Sequence, residues 1–249
     1  MKIVQLQKKL NEEWTYLGAQ QNLHAPLVLV FGNRFELQKE SVYSDIKGIF
    51  KDGHIVFGST SGNITAHSVE DESIAITAIE FEKSSFSIKT TNVLNIEKPR
   101  DSYTIGRELI EQFPKAHLKH VFILSEGSFV NGSQLTQGMN AAKGDNVTIS
   151  GALCGDGSRF EKTLASYNEN PKKGEVVAIG LYGESLEVSS AIDGGWTPFG
   201  PERIVTKSMD NVLYELDNQP ALDLYKKYLG DKSVTLSSTI ISVKSKICQ

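Results

Sequence analysis

The run at residues 27–31, LVLVF, constrains this chain more than any other stretch. Five consecutive apolar residues form a strand buried on both faces, and such strands sit inside sheets whose connections cross over through helices. Gly32 and Asn33 close the run. Over residues 36–50, Leu37, Val42, Ile46, Ile49 and Phe50 follow a roughly helical period, Asp52-Gly53 ends the element, and residues 55–57 supply a second short buried strand. The pattern is a β-α-β unit with parallel strands and a right-handed crossover. Ligands in such folds sit beyond the strand C-termini, which here are the turns Gly32-Asn33-Arg34 and Gly58-Ser59-Thr60-Ser61-Gly62.

A second unit follows the same order. Residues 120–124 form its strand, Ser125-Glu126-Gly127 its turn, residues 133–142 its helix and residues 147–153 its return strand. Between the units, residues 73–81 and 85–95 are adjacent β-rich runs, most simply an antiparallel hairpin, and Asp101 leads into a helix stopped by Pro114. Later strands are expected at residues 160–168, 175–182 and 185–192. Ahead of the first unit, Ile3, Leu6, Leu10, Trp14 and Leu17 fall at steps of three and four, which predicts an amphipathic N-terminal helix over residues 1–25. The fold class is α/β with α+β character: mixed sheets from two related β-α-β units with added antiparallel strands. An internal repeat of this kind places GSTSG and GALCGDG at related positions, facing each other across a cleft.

With 249 residues the chain can bury a core without metal or disulfide staples. A net charge of −4 leaves no basic footprint for nucleic acid or an anionic membrane. No apolar run reaches the roughly 18 residues of a membrane span, and the charged N-terminus lacks the apolar core of a secretory signal. Two cysteines, Cys154 and Cys248, fit neither zinc spacing nor a disulfide framework, so a reducing cytosol is the expected compartment.

The stretch at residues 147–163, VTISGALCGDGSRFEKT, concentrates the chemistry. Cys154, Asp156, Ser158 and Arg159 supply a thiol, a carboxylate, a hydroxyl and a guanidinium within six residues of glycine-rich chain. Asp156 and Arg159 either hold each other or divide the amino and carboxylate groups of a ligand. Asn131 either caps the helix starting near Ser133 or contacts a ligand. Cys154 lacks a base on its side of the sheet and is expected to be a buried, inert thiol. After Asp193 the chain turns to GGWTPFGPERIVTKS, too irregular for a regular element, where Trp196, Phe199 and Arg203 cover either the core or a ligand. Asp217 and Pro220 introduce a last helix.

The stretches LVLVFGNR, HIVFGSTSG, SIAITAIEFE, LKHVFILSEGSFVNGS, GALCGDGSRFEKTL, VVAIGLYG, GGWTPFGPERIVTKS and NVLYELDNQPALDLYKKYLG, in this order, resemble the FIST family of intracellular signal-transduction domains. Ala152 and Cys154 stand where the family's GGLAGDG-like motif usually has glycine and alanine, and Glu126 where aspartate is usual. The resemblance implies a FIST N-terminal domain over residues 26–210 and a truncated start of the FIST C-terminal domain over residues 211–249, with a divergent tail after about Leu236. It also implies a cytoplasmic sensory role, a small-molecule ligand such as an amino acid or related metabolite, and a signalling protein as partner. No family-wide catalytic residues carry over, so no enzyme activity is expected.

The ligand is expected at the strand C-terminal ends, lined by Ser59, Ser125, Asn131, Asp156, Arg159 and Arg203 under Trp196. Two alternatives stand beside it. Some relatives bind haem and sense nitric oxide through a histidine kinase; His24, His54, His67, His117 and His120 are the available ligands, and their spacing singles out none of them. The other alternative is a non-catalytic protein-interaction scaffold. No resident cofactor and no metal site is expected.

Overall fold

The computed structural model describes residues 1–65, 68–94, 100–191, 194, 197–198, 200–209 and 212–231. They belong to two compact units, Met1–Ser190 and Ala191–Gln249. In chain order the first holds β1 (Lys2–Lys9), β2 (Thr15–Tyr16), β3 (Leu27–Gly32), α1 (Arg34–Leu37), α2 (Val42–Ile49), β4 (His54–Ser59), β5 (Asn63–Ile64), β6 (Val69–Glu70) and β7 (Ser73–Glu80). It continues with β8 (Ser85–Asn92), α3 (Ser102–Glu111), β9 (Leu118–Ser125), α4 (Gly132–Ala142), β10 (Thr148–Leu153), β11 (Ala165–Tyr167) and β12 (Glu175–Tyr182).

Two sheets carry this unit, a six-stranded one of order β11-β4-β3-β7-β1-β2 and a four-stranded one of order β10-β9-β12-β8. Side chains alternate across each strand, so a strand with both faces covered must be apolar at every position. In β3, Val28 and Val30 join the core shared with Leu37, Val42 and Ile46 of α1 and α2. Leu27, Leu29 and Phe31 point the other way, into a core shared with Leu124, Val177 and Ile179 of the second sheet. In β12, Val176 and Ala178 pack with Ile105, Leu109, Leu135 and Met139 of α3 and α4. The layers therefore run helix, sheet, sheet, helix. Each aliphatic side chain fully buried in these cores contributes about 1.5–3 kcal/mol.

The two halves share a topology. β3 and β4 are parallel, as are β9 and β10; β7 lies antiparallel to β3 and β12 antiparallel to β9; β1 then flanks β7 and β8 flanks β12, both antiparallel. Asp101 caps α3 and Asn131 caps α4 through side-chain oxygens that accept backbone N–H groups. Where these helices pack, a Cβ on Gly138 would lie 1.9 Å from the Tyr103 carbonyl oxygen, so only glycine allows the approach.

Four sequence expectations are corrected here. The N-terminal helix is the strand β1, because Val4 and Leu6 are buried at a spacing of two and pair with Ala78 and Ile76 of β7. Long-range ladder bonds outweigh a helical period made from scattered apolar residues. Strands β7 and β8 form no hairpin; each enters a different sheet, since β7 is needed by β1 and β3 while β8 completes the edge beside β12. The helix over residues 36–50 is two helices, α1 and α2. Residues 185–191 form no strand.

The second unit holds β13 (Val205–Met209), β14 (Val212–Leu216), β15 (Gln219–Pro220) and α5 (Ala221–Leu229), its strands forming one antiparallel sheet. The strand β13 occupies part of the stretch the sequence marks as irregular. Among its described residues Ala221 alone is a buried hydrophobic. Among all described residues, no helix is long and apolar enough to cross a membrane.

Candidate functional site

The C-terminal ends of the parallel strands bring together five of the seven residues singled out in the sequence, and most of them are occupied by the protein itself. Ser59 and Ser125 end β4 and β9 and are 2% and 1% exposed. The Ser59 hydroxyl donates to the Gly155 carbonyl at 2.8 Å and accepts the Leu164 N–H at 2.9 Å, while the Gly155 N–H donates to the Ser59 carbonyl at 2.8 Å. The loops GSTSG and GALCGDG thus touch rather than face each other across a cleft. A Cβ on Gly155 would sit 2.4 Å from Ser61 Oγ. Ser125 donates to its neighbour's carbonyl, and the Asn131 side chain accepts the N–H groups of Ser133 and Gln134.

Asp156 is bound to Arg34, not to Arg159. Arg34 Nε lies 2.9 Å from Asp156 Oδ1, an ion pair outside hydrogen-bond alignment, and the other carboxylate oxygen accepts the Glu161 and Lys162 N–H groups at 3.1 and 3.0 Å. Both members are buried. Arg34 was the signal the sequence held and did not disclose, since nothing local links GNR to a loop more than a hundred residues on. Arg159 is exposed and stacks on Phe35, its guanidinium carbon 4.7 Å from the ring centroid. Arg203 belongs to the second unit, where it pairs with Asp217 at 2.9 Å, and Trp196 lies outside the described residues.

Two further buried groups belong to this end. The Glu126 carboxylate accepts the N–H groups of Phe129 and Val130 and the Thr163 hydroxyl, so it organises the turn after β9. Cys154 packs between the sheets, where burial pushes its thiol up to about 12. At that value the thiolate needed for nucleophilic attack or metal binding is scarce at neutral pH. Among the described residues, no group of three or more His, Cys, Asp or Glu is placed to hold a metal ion.

The opposite end of the sandwich is open. Where β4 and β8 begin and β7 has ended, a groove of about 360 Å³ is walled by Phe81, Phe86 and Ile88 and edged by Ser84, Ser85 and Ser87. His24, Ala25, His54 and Tyr167 complete it. His54 Nδ1 lies 2.7 Å from the Tyr167 hydroxyl, its ring stacks on that of Tyr167, and Phe86 meets it edge-on at 5.1 Å. Burial raises the Tyr167 phenol above its ordinary value, with Tyr43 adding to the effect, so the phenol stays protonated. When Tyr167 donates to Nδ1, the ring N–H sits on Nε2; when Nδ1–H donates to the Tyr167 oxygen, Nε2 carries a lone pair; in either case no other described residue engages Nε2. On the rim, His24 Nδ1 lies 2.9 Å from Asp52, whose carboxyl is held low chiefly by the Ala25 N–H and secondarily by His24.

The remaining histidines are placed differently. His120 is buried, with both ring nitrogens bound to the hydroxyls of Thr148 and Ser150 at 2.7 and 2.9 Å. His117 is exposed beside Glu184, and His67 lies outside the described residues. The sequence offers His24 and His54 only as two of five undistinguished histidines and does not disclose the groove, because no local motif joins residues 24, 54, 86 and 167.

The geometry defines a repeat-built sandwich with a polar-edged, aromatic-walled groove at one end. The family model of the FIST N domain matches residues 26–219 of this chain. The chain belongs to the FIST family, whose domains are sensory domains in signal transduction. A search of curated proteins gives no match to it.

Proposed function

We propose that this chain is a cytoplasmic sensory domain that binds a small molecule, an amino acid or related metabolite, in the groove between His54 and Phe86 and passes the signal to a protein partner. One observation carries this: the groove of about 360 Å³ gathers two phenylalanine rings, the Tyr167 hydroxyl and an imidazole whose Nε2 no other described residue engages, with three serines in its lining. Small-ligand sites are typically about 300–1,000 Å³ and combine an apolar lining with a few placed polar groups. The His54 Nε2–H suits a carboxylate or carbonyl oxygen, and Phe81 and Phe86 suit a flat or aliphatic body.

A thermal-shift screen of the amino acids and their simple derivatives tests this. A ligand at a hundred times its Kd stabilises the fold by about 2.7 kcal/mol. Tyr167→Phe, which removes the hydroxyl that orients His54, is expected to weaken that ligand at least tenfold while lowering stability by less than about 1.5 kcal/mol. A ligand whose affinity is untouched by Tyr167→Phe and by His54→Ala binds elsewhere. A second reading has His54 Nε2 ligate a haem iron, with nitric oxide binding as the signal; it requires the other tautomer, in which Nδ1–H donates to the Tyr167 hydroxyl oxygen and Nε2 is left with its lone pair. A Soret band in the purified protein, lost in His54→Ala, distinguishes that case.

A further inference from the structure

We propose that the outer edge of β8 is a docking strand for an extended, acidic segment of a partner protein, which pairs with the backbone of Phe86, Ile88 and Thr90. β8 closes the four-stranded sheet and, among the described residues, pairs with β12 alone. Its ladder fixes which backbone groups face outward. The Val93 N–H donates to the Gly174 carbonyl at 2.8 Å, and the same antiparallel register runs on through Thr91↔Val176 and Lys89↔Ala178 to Ser85↔Tyr182 without a shift. Bonded and non-bonded pairs alternate along such a ladder. Thr91, Lys89, Ser87 and Ser85 therefore exchange bonds with β12, and Phe86, Ile88 and Thr90 turn their N–H and C=O groups away from it. Among the described residues, no hydrogen bond from outside the ladder reaches these three.

The equivalent strand in the other half is treated differently. Along β1, the Leu17 N–H donates to the Gln5 carbonyl at 2.9 Å, the Gln21 side chain to the Ile3 carbonyl at 2.9 Å, and β2 pairs with Leu6 and Gln7. Among the described residues, one repeat covers its edge and the other leaves it bare. Bare edges are usually blunted by proline, a bulge, brevity or a charged side chain, lysine above all. Over its eight residues, SFSIKTTN, β8 has only the last of these, Lys89, which discourages pairing with a copy of itself and leaves pairing with an acidic strand open.

Main-chain pairing supplies affinity in strand addition, and the neighbouring side chains supply specificity. The only charge on β8 is Lys89, Lys83 precedes the strand, and neither forms an ion pair among the described residues. An acidic strand is therefore attracted. A second copy of β8 would bring a second Lys89 to the same short stretch, which the charge disfavours. Phe86 and Ile88 also wall the groove, so a docked strand would lie along its open side. The docking strand stands whether or not the groove holds a small molecule.

The test uses the full chain, isotopically labelled, and two synthetic peptides: an alternating Val/Thr/Glu octapeptide and its analogue with lysine for glutamate. In the free protein the amides of Phe86, Ile88 and Thr90 are expected to exchange freely while those of Ser87, Lys89 and Thr91 are protected. The acidic peptide should slow exchange at the three outward amides at least tenfold and bind at least tenfold more tightly than its lysine analogue. Thr90→Pro removes one outward N–H and no ladder bond, so it should weaken the acidic peptide tenfold with the melting temperature unchanged. If that variant fails to fold, Lys89→Glu reads the same surface by reversing the peptide preference. Outward amides already protected in dilute free protein, protection that grows with protein concentration together with dimer formation, or peptide binding indifferent to both variants would each overturn the proposal.

Discussion

Where the parallel strands end, Ser59, Gly155 and Leu164 bind one another at 2.8–2.9 Å and Asp156 is locked to Arg34; where they begin, a groove of about 360 Å³ is lined by His54, Phe81, Phe86 and Tyr167, with Ser84, Ser85 and Ser87 at its edge. In open α/β sheets the first of these ends is the one that takes ligands. Here two sheets stack face to face, and the loops GSTSG and GALCGDG of the two repeats meet and satisfy each other. The same glycine-rich sequence that marks a ligand turn in one architecture becomes a fastener in another. Substitutions should therefore cost stability at the closed end and binding at the open end.

The largest effect is expected for Asp156→Ala. It strands the buried Arg34 guanidinium with only the exposed Glu161 as partner, and removing one member of a buried pair costs about 3–5 kcal/mol. Urea denaturation of the variant reads this directly. A loss below about 1 kcal/mol would mean that Arg34 turns to solvent and that the closed end is looser than its hydrogen bonds suggest.

Ser59→Ala comes next, expected to cost about 1–3 kcal/mol because the Leu164 N–H loses its acceptor and the Gly155 carbonyl a donor. It also separates the ends: the variant should keep any ligand affinity that Tyr167→Phe destroys. If Ser59→Ala abolished binding in a folded protein, the contrast between the ends would fail.

The smallest effect is a pH dependence at His120, near the start of β9. Burial lowers its pKa below the ordinary 6.5, so the folded protein holds it neutral between Thr148 and Ser150. Below pH 6.5 the unfolded chain takes up a proton that the folded chain resists. Stability is therefore intact above pH 6.5 and falls as pH drops towards the lower folded value, by at most about 1.4 kcal/mol per pH unit. His120→Gln should flatten that part of the stability profile, and an equal slope in both proteins would assign it to other groups.

Much of the architecture was legible in sequence because it is local. LVLVF reads as a doubly buried strand, Asp101 leads into a helix, a helix cap is one of the two readings of Asn131, and the recurrence of strand, turn, helix and strand discloses two related units. Cys154 was also readable as an inert thiol, since no base accompanies it on its side of the sheet. Pairing was not legible. Residues 73–81 and 85–95 look like a hairpin because they are neighbours with matching β pattern, yet β7 is drawn to β1 and β3 and β8 to β12. The N-terminal residues show a helical period that loses to eight ladder partners on β7.

The candidate site follows the same division. Residue types and spacing located the turn around Asp156 and its glycines, and family motifs named the class of protein. Only the tertiary structure decided that Asp156 holds Arg34, that the two glycine-rich loops seal each other, and that His24, His54, Phe86 and Tyr167 share one groove. The physical reason is range: periodicity, capping and turn chemistry act over a few residues, whereas ion pairs, sheet stacking and groove walls join residues up to 143 positions apart, from His24 to Tyr167.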